Sequence, residues 1–122
     1  MTWEELSEAH REAAIWLMGS EGHHRAFCGR AYYSVYALVT SRLPVGTSFG
    51  RGWSNPEHVK LPEYINQLPE LKPDQRRRAR TAIRRLRQRR EDADYRPGIS
   101  VTLRDAKEAM RDVEEVRRIL RR

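Results

Sequence analysis

Apolar residues recur every three or four positions along most of the chain, and this spacing predicts helices. The first helix is expected to begin at Thr2, whose side chain can form a capping box with Glu5, and to end at Gly19. Its apolar stripe consists of Trp3, Leu6, Ala9, Ala13, Trp16 and Leu17. A second helix is predicted over residues 23–43, with apolar positions nearly all around it. That pattern is typical of the most buried helix in a bundle.

The segment PVGTSFGRGWSNP, residues 44–56, contains turn-forming residues and no helical period, so we predict a loop. Loops of this length in a compact domain are often functional. A short helix is predicted over residues 57–67, and an Arg-rich helix is predicted to run from about Pro73 to Tyr95. Its inner stripe consists of Ala79, Ala82, Ile83 and Leu86.

After the break RPGIS, a second capping box between Thr102 and Asp105 opens the last predicted helix. Its apolar positions are Leu103, Ala106, Met110, Val113, Val116 and Leu120. The elements together predict an all-α fold, an antiparallel up-and-down bundle of four to five helices with one irregular connection. A chain of 122 residues supports one hydrophobic core, so we expect a single domain over residues 1–122.

Composition narrows the class of protein. Hydrophobic residues make up 39% and charged residues 34%, which is typical of a folded helical protein and unlike a disordered tail. No segment approaches the roughly 20 apolar residues that cross a bilayer, and the acidic start MTWEELSEAH is unlike a secretory signal. We therefore expect a cytoplasmic location and no membrane partner. Cys28 is the single cysteine, which excludes an internal disulfide.

The positive charge is concentrated in one segment. The chain carries a net charge of +7, yet the segment RRRARTAIRRLRQRR, residues 76–90, contains many arginines and no acid. Its outward-facing side chains are predicted to bind several phosphates of RNA or DNA in a salt-dependent, sequence-tolerant way. This predicted nucleic-acid surface consists of Arg76, Arg77, Arg80, Arg84 and Arg87. The alternatives are a solvated face, or a docking surface for acidic residues such as Glu114 and Glu115 of a partner or second subunit.

Two other arginines fall where apolar residues are expected. Arg30 shares a helical face with Ala26, Tyr33 and Ala37, and Arg90 continues the inner stripe of the Arg-rich helix. We predict that both guanidinium groups point toward the protein, where each needs a carboxylate or access to water. Asp94, four residues beyond Arg90, is the nearest candidate partner in sequence. One interpretation is a structural ion-pair network, and the other is a site that holds phosphate.

The sequence Arg30-Ala-Tyr-Tyr-Ser-Val-Tyr36 resembles the R-A-Y-Y-x-x-[FY] signature of the short stand-alone HEPN domains. The sequence Arg90-Glu-Asp-Ala-Asp-Tyr95 resembles their R-x-x-A-D-Y signature, and His58 occupies the place of a histidine between the two motifs. The resemblance spans roughly residues 20–120. It implies a compact helical bundle, usually dimeric, from toxin-antitoxin or phage-defence modules. Many members are metal-independent endoribonucleases that act on RNA, and some act beside a nucleotidyltransferase or antitoxin partner.

Catalytic members of that family use an R-x(4–6)-H motif near the end of the third long helix. Here the positions reached at that spacing from Arg89 or Arg90 include Asp94 and Tyr95, with no histidine. His58 is therefore the candidate proton-transfer group, and Arg30 and Arg90 would hold charge while Asp94 and Tyr95 position Arg90. Tyr95 is also a candidate modification target for a nucleotidyltransferase partner. Arg51 and His58 match the motif spacing, but arginine is so frequent here that chance explains the match.

No cofactor or metal is predicted. His23 and His24 are adjacent and therefore face different directions on a helix, and His10 is distant in sequence. The chain has no CxxC or HExxH motif and no cluster of aspartates. The sequence thus supports three functions: a metal-independent endoribonuclease, a non-catalytic module that binds RNA or a partner protein, and a nucleotide-binding regulator.

Overall fold

The computed structural model describes residues 1–121, which form five α-helices joined by turns. The helices are α1 (Trp3–Met18), α2 (His24–Arg42), α3 (Leu61–Tyr64), α4 (Pro73–Tyr95) and α5 (Leu103–Leu120). Three single 3-10 turns accompany them, at Gly50–Gly52, His58–Lys60 and Ile65–Gln67. The all-α prediction is confirmed, and no strand occurs among the described residues.

The ends of the long helices follow the sequence signals. The hydroxyl of Thr2 accepts the N–H of Glu5, and the hydroxyl of Thr102 accepts the N–H of Asp105, so both predicted capping boxes form. Pro73 occupies the first turn of α4, where its missing N–H costs nothing. The predicted short helix over residues 57–67 is a composite, in which α3 lies between two 3-10 turns.

Helix α2 is the centre of the bundle and packs against α1, α4 and α5. Its buried residues cover more than half of its circumference, while the face that carries Ala26 and Arg30 is exposed. Cross-helix contacts fix the directions. Ser7 of α1 donates to the carbonyl of Ser34, and Arg25 donates to the carbonyl of Ala93 in α4, so α2 is antiparallel to both helices. Arg42 donates to the carbonyl of Leu120, so α2 and α5 run in parallel.

The core is filled by large side chains from α2, α3, α4 and α5. The largest fully buried ones include Phe27, Tyr32, Leu61, Ile65, Leu68, Ile83, Leu86 and Val113. Burial of such side chains is the main favourable term in folding, at roughly 1.5–3 kcal/mol each before the entropy cost. No helix among residues 1–121 has the length and apolar character that a membrane span requires.

The predicted apolar stripe of α1 is wrong in part. Trp16 is 70% exposed and Ala9 is also exposed. The face that packs on α2 contains the small buried residues Ser7 and Ala14. Small side chains let two helices approach closely, and the Ser7 hydroxyl is satisfied by the Ser34 carbonyl at 2.6 Å. The seam between α1 and α2 thus includes small buried residues in addition to the partly buried Trp3 and Leu17 of the predicted stripe.

Candidate active site

Three tyrosines on one side of α2 form the floor of the candidate site. Tyr32 and Tyr36 are one helical turn apart and are buried, while Tyr33 is half-buried beside them. The ring centroids of Tyr32 and Tyr33 are 5.4 Å apart, and those of Tyr33 and Tyr36 are 6.2 Å apart. Both pairs are edge-to-face, an arrangement favoured by the aromatic quadrupole. A side chain from another helix that reaches this floor can therefore contact more than one tyrosine ring.

His58, at the start of the turn before α3, lies on this floor. Its ring centroid is 4.6 Å from that of Tyr36, and its Nδ1 atom is 2.8 Å from the hydroxyl of Tyr32. The hydrogen bond can run in either direction because both groups can donate and accept. When Nδ1 donates, Nε2 is left as a proton acceptor. The Tyr32 hydroxyl therefore orients the imidazole in the way that a partner group orients a catalytic histidine.

The surroundings of His58 favour its neutral form. Burial lowers the pKa of His58 below its usual 6.5, and the positive charges of Arg90 and Arg87 lower it further. Burial also raises the pKa of Tyr32 far above its ordinary value, so its phenol keeps its proton. At neutral pH the pair is thus a neutral imidazole bonded to a neutral phenol, and the imidazole is free to accept a proton.

Arg90 of α4 also lies over this tyrosine floor. Its guanidinium carbon is 5.2 Å from the ring centroid of Tyr33 and 5.6 Å from that of Tyr32. Its side chain is 16% exposed, which confirms that it points toward the protein. Asp94 approaches its Nε atom at 3.4 Å, as the sequence predicted, but that contact lacks hydrogen-bond geometry, and the buried Nε has no acceptor within residues 1–121. The ion pair is weak because Asp94 is itself 41% exposed.

Arg30 is the main correction to the predicted site. It is exposed, and its terminal nitrogen Nη1 bonds to Nδ1 of His10 on α1 at 3.1 Å. The helical face that it shares with Ala37 is exposed at Ala26 and becomes buried only further along α2. A long arginine side chain can follow that face outward, so helical position alone does not fix burial. The prediction that both Arg30 and Arg90 point inward is therefore wrong for Arg30.

His10 nevertheless connects Arg30 to the tyrosine floor. The His10 ring is 5.9 Å from that of Tyr33, whose other neighbours include His58 and Arg90. Arginine can only donate, so His10 accepts at Nδ1 and carries its proton on Nε2. Burial, with the charge of Arg30, lowers the pKa of His10 in agreement with this neutral form. From the sequence, His10 was a candidate metal ligand only, because its contact with Arg30 depends on the packing of α1 against α2.

Tyr95 and Arg51 lie apart from the tyrosine floor. Tyr95, at the end of α4, is 70% exposed, so the predicted role in positioning Arg90 finds no support in its placement. Arg51 is exposed in the loop, with its guanidinium carbon 5.8 Å from the ring centroid of Trp53. Trp53 was not predicted as a site residue, although an aromatic residue in a Gly-rich loop was a signal that could have identified it.

Beside His58 the floor opens into a cleft with a volume of about 550 Å³. Its lining comes from the end of the loop and the turn before α3, together with one residue of α2, and consists of Tyr36, Trp53, Asn55, Pro56, Glu57, His58 and Val59. The cleft therefore combines apolar and aromatic residues with three polar groups, the Asn55 amide, the Glu57 carboxylate and the His58 imidazole. Such composition is typical of small-ligand sites.

The five arginines of the predicted nucleic-acid surface are not equally available. Arg76 donates to the carbonyl of Leu68, Arg80 donates to the Asn66 side chain, and Arg87 pairs with Glu91 at 2.9 Å. Arg77 and Arg84 are exposed and make no ion pair within the described chain. Fewer arginines of the predicted nucleic-acid surface are thus available to phosphates than the sequence suggests, because contacts within the chain occupy three of the five.

The acidic residues considered for a second subunit are paired within the chain. Glu114 accepts hydrogen bonds from Arg11 and Arg117, and Glu115 accepts them from Arg78 and Arg118. Within residues 1–121, no three histidine, cysteine, aspartate or glutamate side chains gather in a group that could bind a metal ion.

Comparison with known proteins gives one match. The family model of the HEPN domain matches residues 3–122. No curated protein and no solved structure shows significant similarity to the chain. The match covers the whole site, from α1 with His10 to α4 with Arg90.

Proposed function

The chain belongs to the HEPN domain family, and we propose that it acts on RNA as an endoribonuclease that needs no metal ion. The observation that supports this proposal is the approach of His58 and Arg90, from separate segments of the chain, to the same two tyrosines, Tyr32 and Tyr33. HEPN domains are usually ribonucleases or act on nucleotides. A histidine able to accept a proton beside a sheltered guanidinium suits that chemistry.

In the proposed reaction, His58 removes the proton of a ribose 2′-hydroxyl through Nε2. The 2′-oxygen then forms a bond to the adjacent phosphorus while the bond from phosphorus to the 5′-oxygen breaks. The products are a 2′,3′-cyclic phosphate and a 5′-hydroxyl end, which takes its proton from water. The guanidinium of Arg90 stabilises the negative charge that develops on the phosphoryl oxygens. Tyr32 holds His58 in orientation through the bond to Nδ1.

The second candidate is a module that binds RNA without cleaving it. The exposed, unpaired arginines Arg77 and Arg84 favour this function because they can contact phosphates without any role for His58. Under either function we expect the partners that the family resemblance implies, namely RNA, a second copy of the chain, and a nucleotidyltransferase or antitoxin in a toxin-antitoxin or phage-defence module. An exposed Tyr95 is compatible with modification by such a partner.

The test is incubation of the purified protein with total RNA in the presence of EDTA, with His58→Ala and Arg90→Ala as comparisons. Loss of a correctly placed general base costs about 100-fold or more, so we expect RNA loss and cyclic-phosphate ends with the wild type and neither with the variants. Cleavage that persists in both variants would contradict the proposed site. RNA binding with steep salt dependence but no cleavage would establish the binding module instead.

A further inference from the structure

An exposed tryptophan lines the cleft that also contains the proposed catalytic histidine. Trp53 is 49% exposed and lines the same cleft as His58, with Val59, 61% exposed, in the same lining. About half of the indole surface is exposed to solvent, and a flat ligand could cover it. Trp16 is even more exposed, but it lies on α1 and is absent from the lining of the cleft. Trp53 therefore combines exposure with a position beside the reacting group.

The loop that carries Trp53 is fastened to the bundle. The N–H of Gly50 donates to the Glu57 carboxylate at 3.0 Å, and the hydroxyl of Tyr36 donates to the carbonyl of Pro56 at 2.7 Å. Phe49 packs edge-to-face on Tyr64 with 5.4 Å between ring centroids. Both ends of the segment are thus held, so the indole is presented from a fixed support, which reduces the ordering cost of binding.

The backbone of the loop also places a positive charge on the indole. Arg51 adopts φ 59°, a left-handed conformation that is uncommon for a residue other than glycine. Its guanidinium carbon is 5.8 Å from the Trp53 ring centroid. The positive charges of Arg87 and Arg90 also act on His58. A ligand that suits this arrangement has a flat aromatic part for the indole and negative charge for the arginines.

We propose that Trp53 is the stacking surface of a subsite for one unpaired nucleobase of single-stranded RNA. This base lies next to the scissile phosphate, at which His58 removes the 2′-hydroxyl proton and Arg90 stabilises negative charge. Every base has a π-face, so stacking on Trp53 tolerates different bases, and the Asn55 amide at the same cleft offers both a donor and an acceptor to a base edge. Bases in a duplex are covered by their neighbours, which makes single strands the substrate. The placement of the subsite next to a scissile phosphate rests on the proposed function. Stacking of a base on Trp53 does not itself require cleavage.

The experiment measures binding of a fluorescein-labelled 12-nucleotide 2′-O-methyl RNA, which lacks the 2′-hydroxyl needed for cleavage. The variants are Trp53→Ala, Trp53→Leu and Trp53→Phe, with Trp16→Ala as the matched loss of an exposed indole. We expect Trp53→Ala and Trp53→Leu to bind about tenfold more weakly, and Trp53→Phe to stay within about threefold of the wild type, because a phenyl ring still stacks. Trp16→Ala should match the wild type. The slope of affinity against salt should be equal in all of them, because phosphate contacts are unchanged.

Equal affinity of the wild type and Trp53→Leu would overturn the subsite, as would an equal loss in Trp16→Ala or equally tight binding of the same sequence as a duplex. Trp53→Leu keeps an apolar side chain of substantial size, so a folding failure of Trp53→Ala leaves the comparison intact. The outcome is separable from the proposed catalysis. A tenfold loss in the Trp53 variants with no cleavage of RNA by the wild type would retain the subsite and reject the ribonuclease.

Discussion

The arginines on the two sides of α4 differ in what their guanidinium groups contact. Toward α5, Arg85 donates two hydrogen bonds to Asp112, at 3.1 and 2.8 Å, and Arg89 donates to Asp105 and Glu108. Toward α2, Arg90 lies on two tyrosine rings, with a single distant carboxylate contact. The same residue type on one helix is therefore paired on one side and largely unpaired on the other.

This difference separates arginines that hold the bundle together from an arginine available to a ligand. A guanidinium that donates two bonds to one carboxylate already has its charge paired, and a phosphate there would compete with that carboxylate. Arg90 has donors to spare and a sheltered position, where its charge acts more strongly than it would in water. Composition cannot distinguish the two sides, because both are rich in arginine.

The largest expected effect is on RNA cleavage. Arg90→Met keeps an unbranched side chain on the tyrosine rings but removes the charge, so we expect cleavage to fall about 100-fold or more. Arg85→Met should cleave within about twofold of the wild type, because Arg85 faces α5. The measurement is the initial rate of cyclic-phosphate formation under single-turnover conditions. Equal losses in the two variants would show that general positive charge, and not the position of Arg90, supports the reaction.

The sequence predicted the inward position of Arg90, but it did not predict the partner of Arg85. Arg90 continues an apolar stripe, so helical periodicity places it on the inward face of α4, and its side chain is 16% exposed. The same reasoning was wrong for Arg30, because a long side chain can leave the face on which it starts. The partner of Arg85 is Asp112, 27 positions away, and only the register of α4 against α5 brings them together. Helix ends were equally predictable, since the capping boxes of Thr2 and Thr102 depend on local residues alone.

The parts of the site that the sequence analysis missed depend on tertiary structure or on loops. Arg30 shares a helical face with buried residues, yet its side chain is long enough to leave that face and bond to His10. Trp53 lies in a loop with no periodicity, so no rule of spacing indicated that it lines the cleft. His58 was identified by its place between two motifs, but its bond to Tyr32 follows from the packing of the turn before α3 on α2.

The second prediction concerns stability, where we expect the larger loss in Arg85→Met and the smaller loss in Arg90→Met. Arg85→Met leaves the buried carboxylate of Asp112 without its two bonds, so we expect the free energy of unfolding to fall by about 1–2 kcal/mol; the half-exposed guanidinium limits the loss. Arg90→Met should change it by no more than about 0.5 kcal/mol, because Asp94 is well hydrated. Urea unfolding at neutral pH measures both. A larger loss in Arg90→Met than in Arg85→Met would make Arg90 a structural residue.

The smallest expected effect is a change in the titration of His58. Because the charge of Arg90 is one of the causes that lower the pKa of His58, Arg90→Met should raise that pKa toward 6.5, while Arg85→Met should leave it unchanged. Burial is the larger cause, so the pKa stays below 6.5 even in Arg90→Met. The imidazole proton signals in an NMR titration report this directly.

The same titration predicts how pH affects the wild type. Since the pKa of His58 is lower in the folded than in the unfolded chain, its contribution to stability is complete above about pH 6.5 and is lost as the pH falls through the folded value. Cleavage should follow the same direction, rising with pH until His58 is neutral and then remaining level. If His58 titrates identically in the wild type and in Arg90→Met, the guanidinium is too far away to act on the imidazole. The two groups would then belong to separate sites, and the comparison between the two sides of α4 would say nothing about catalysis.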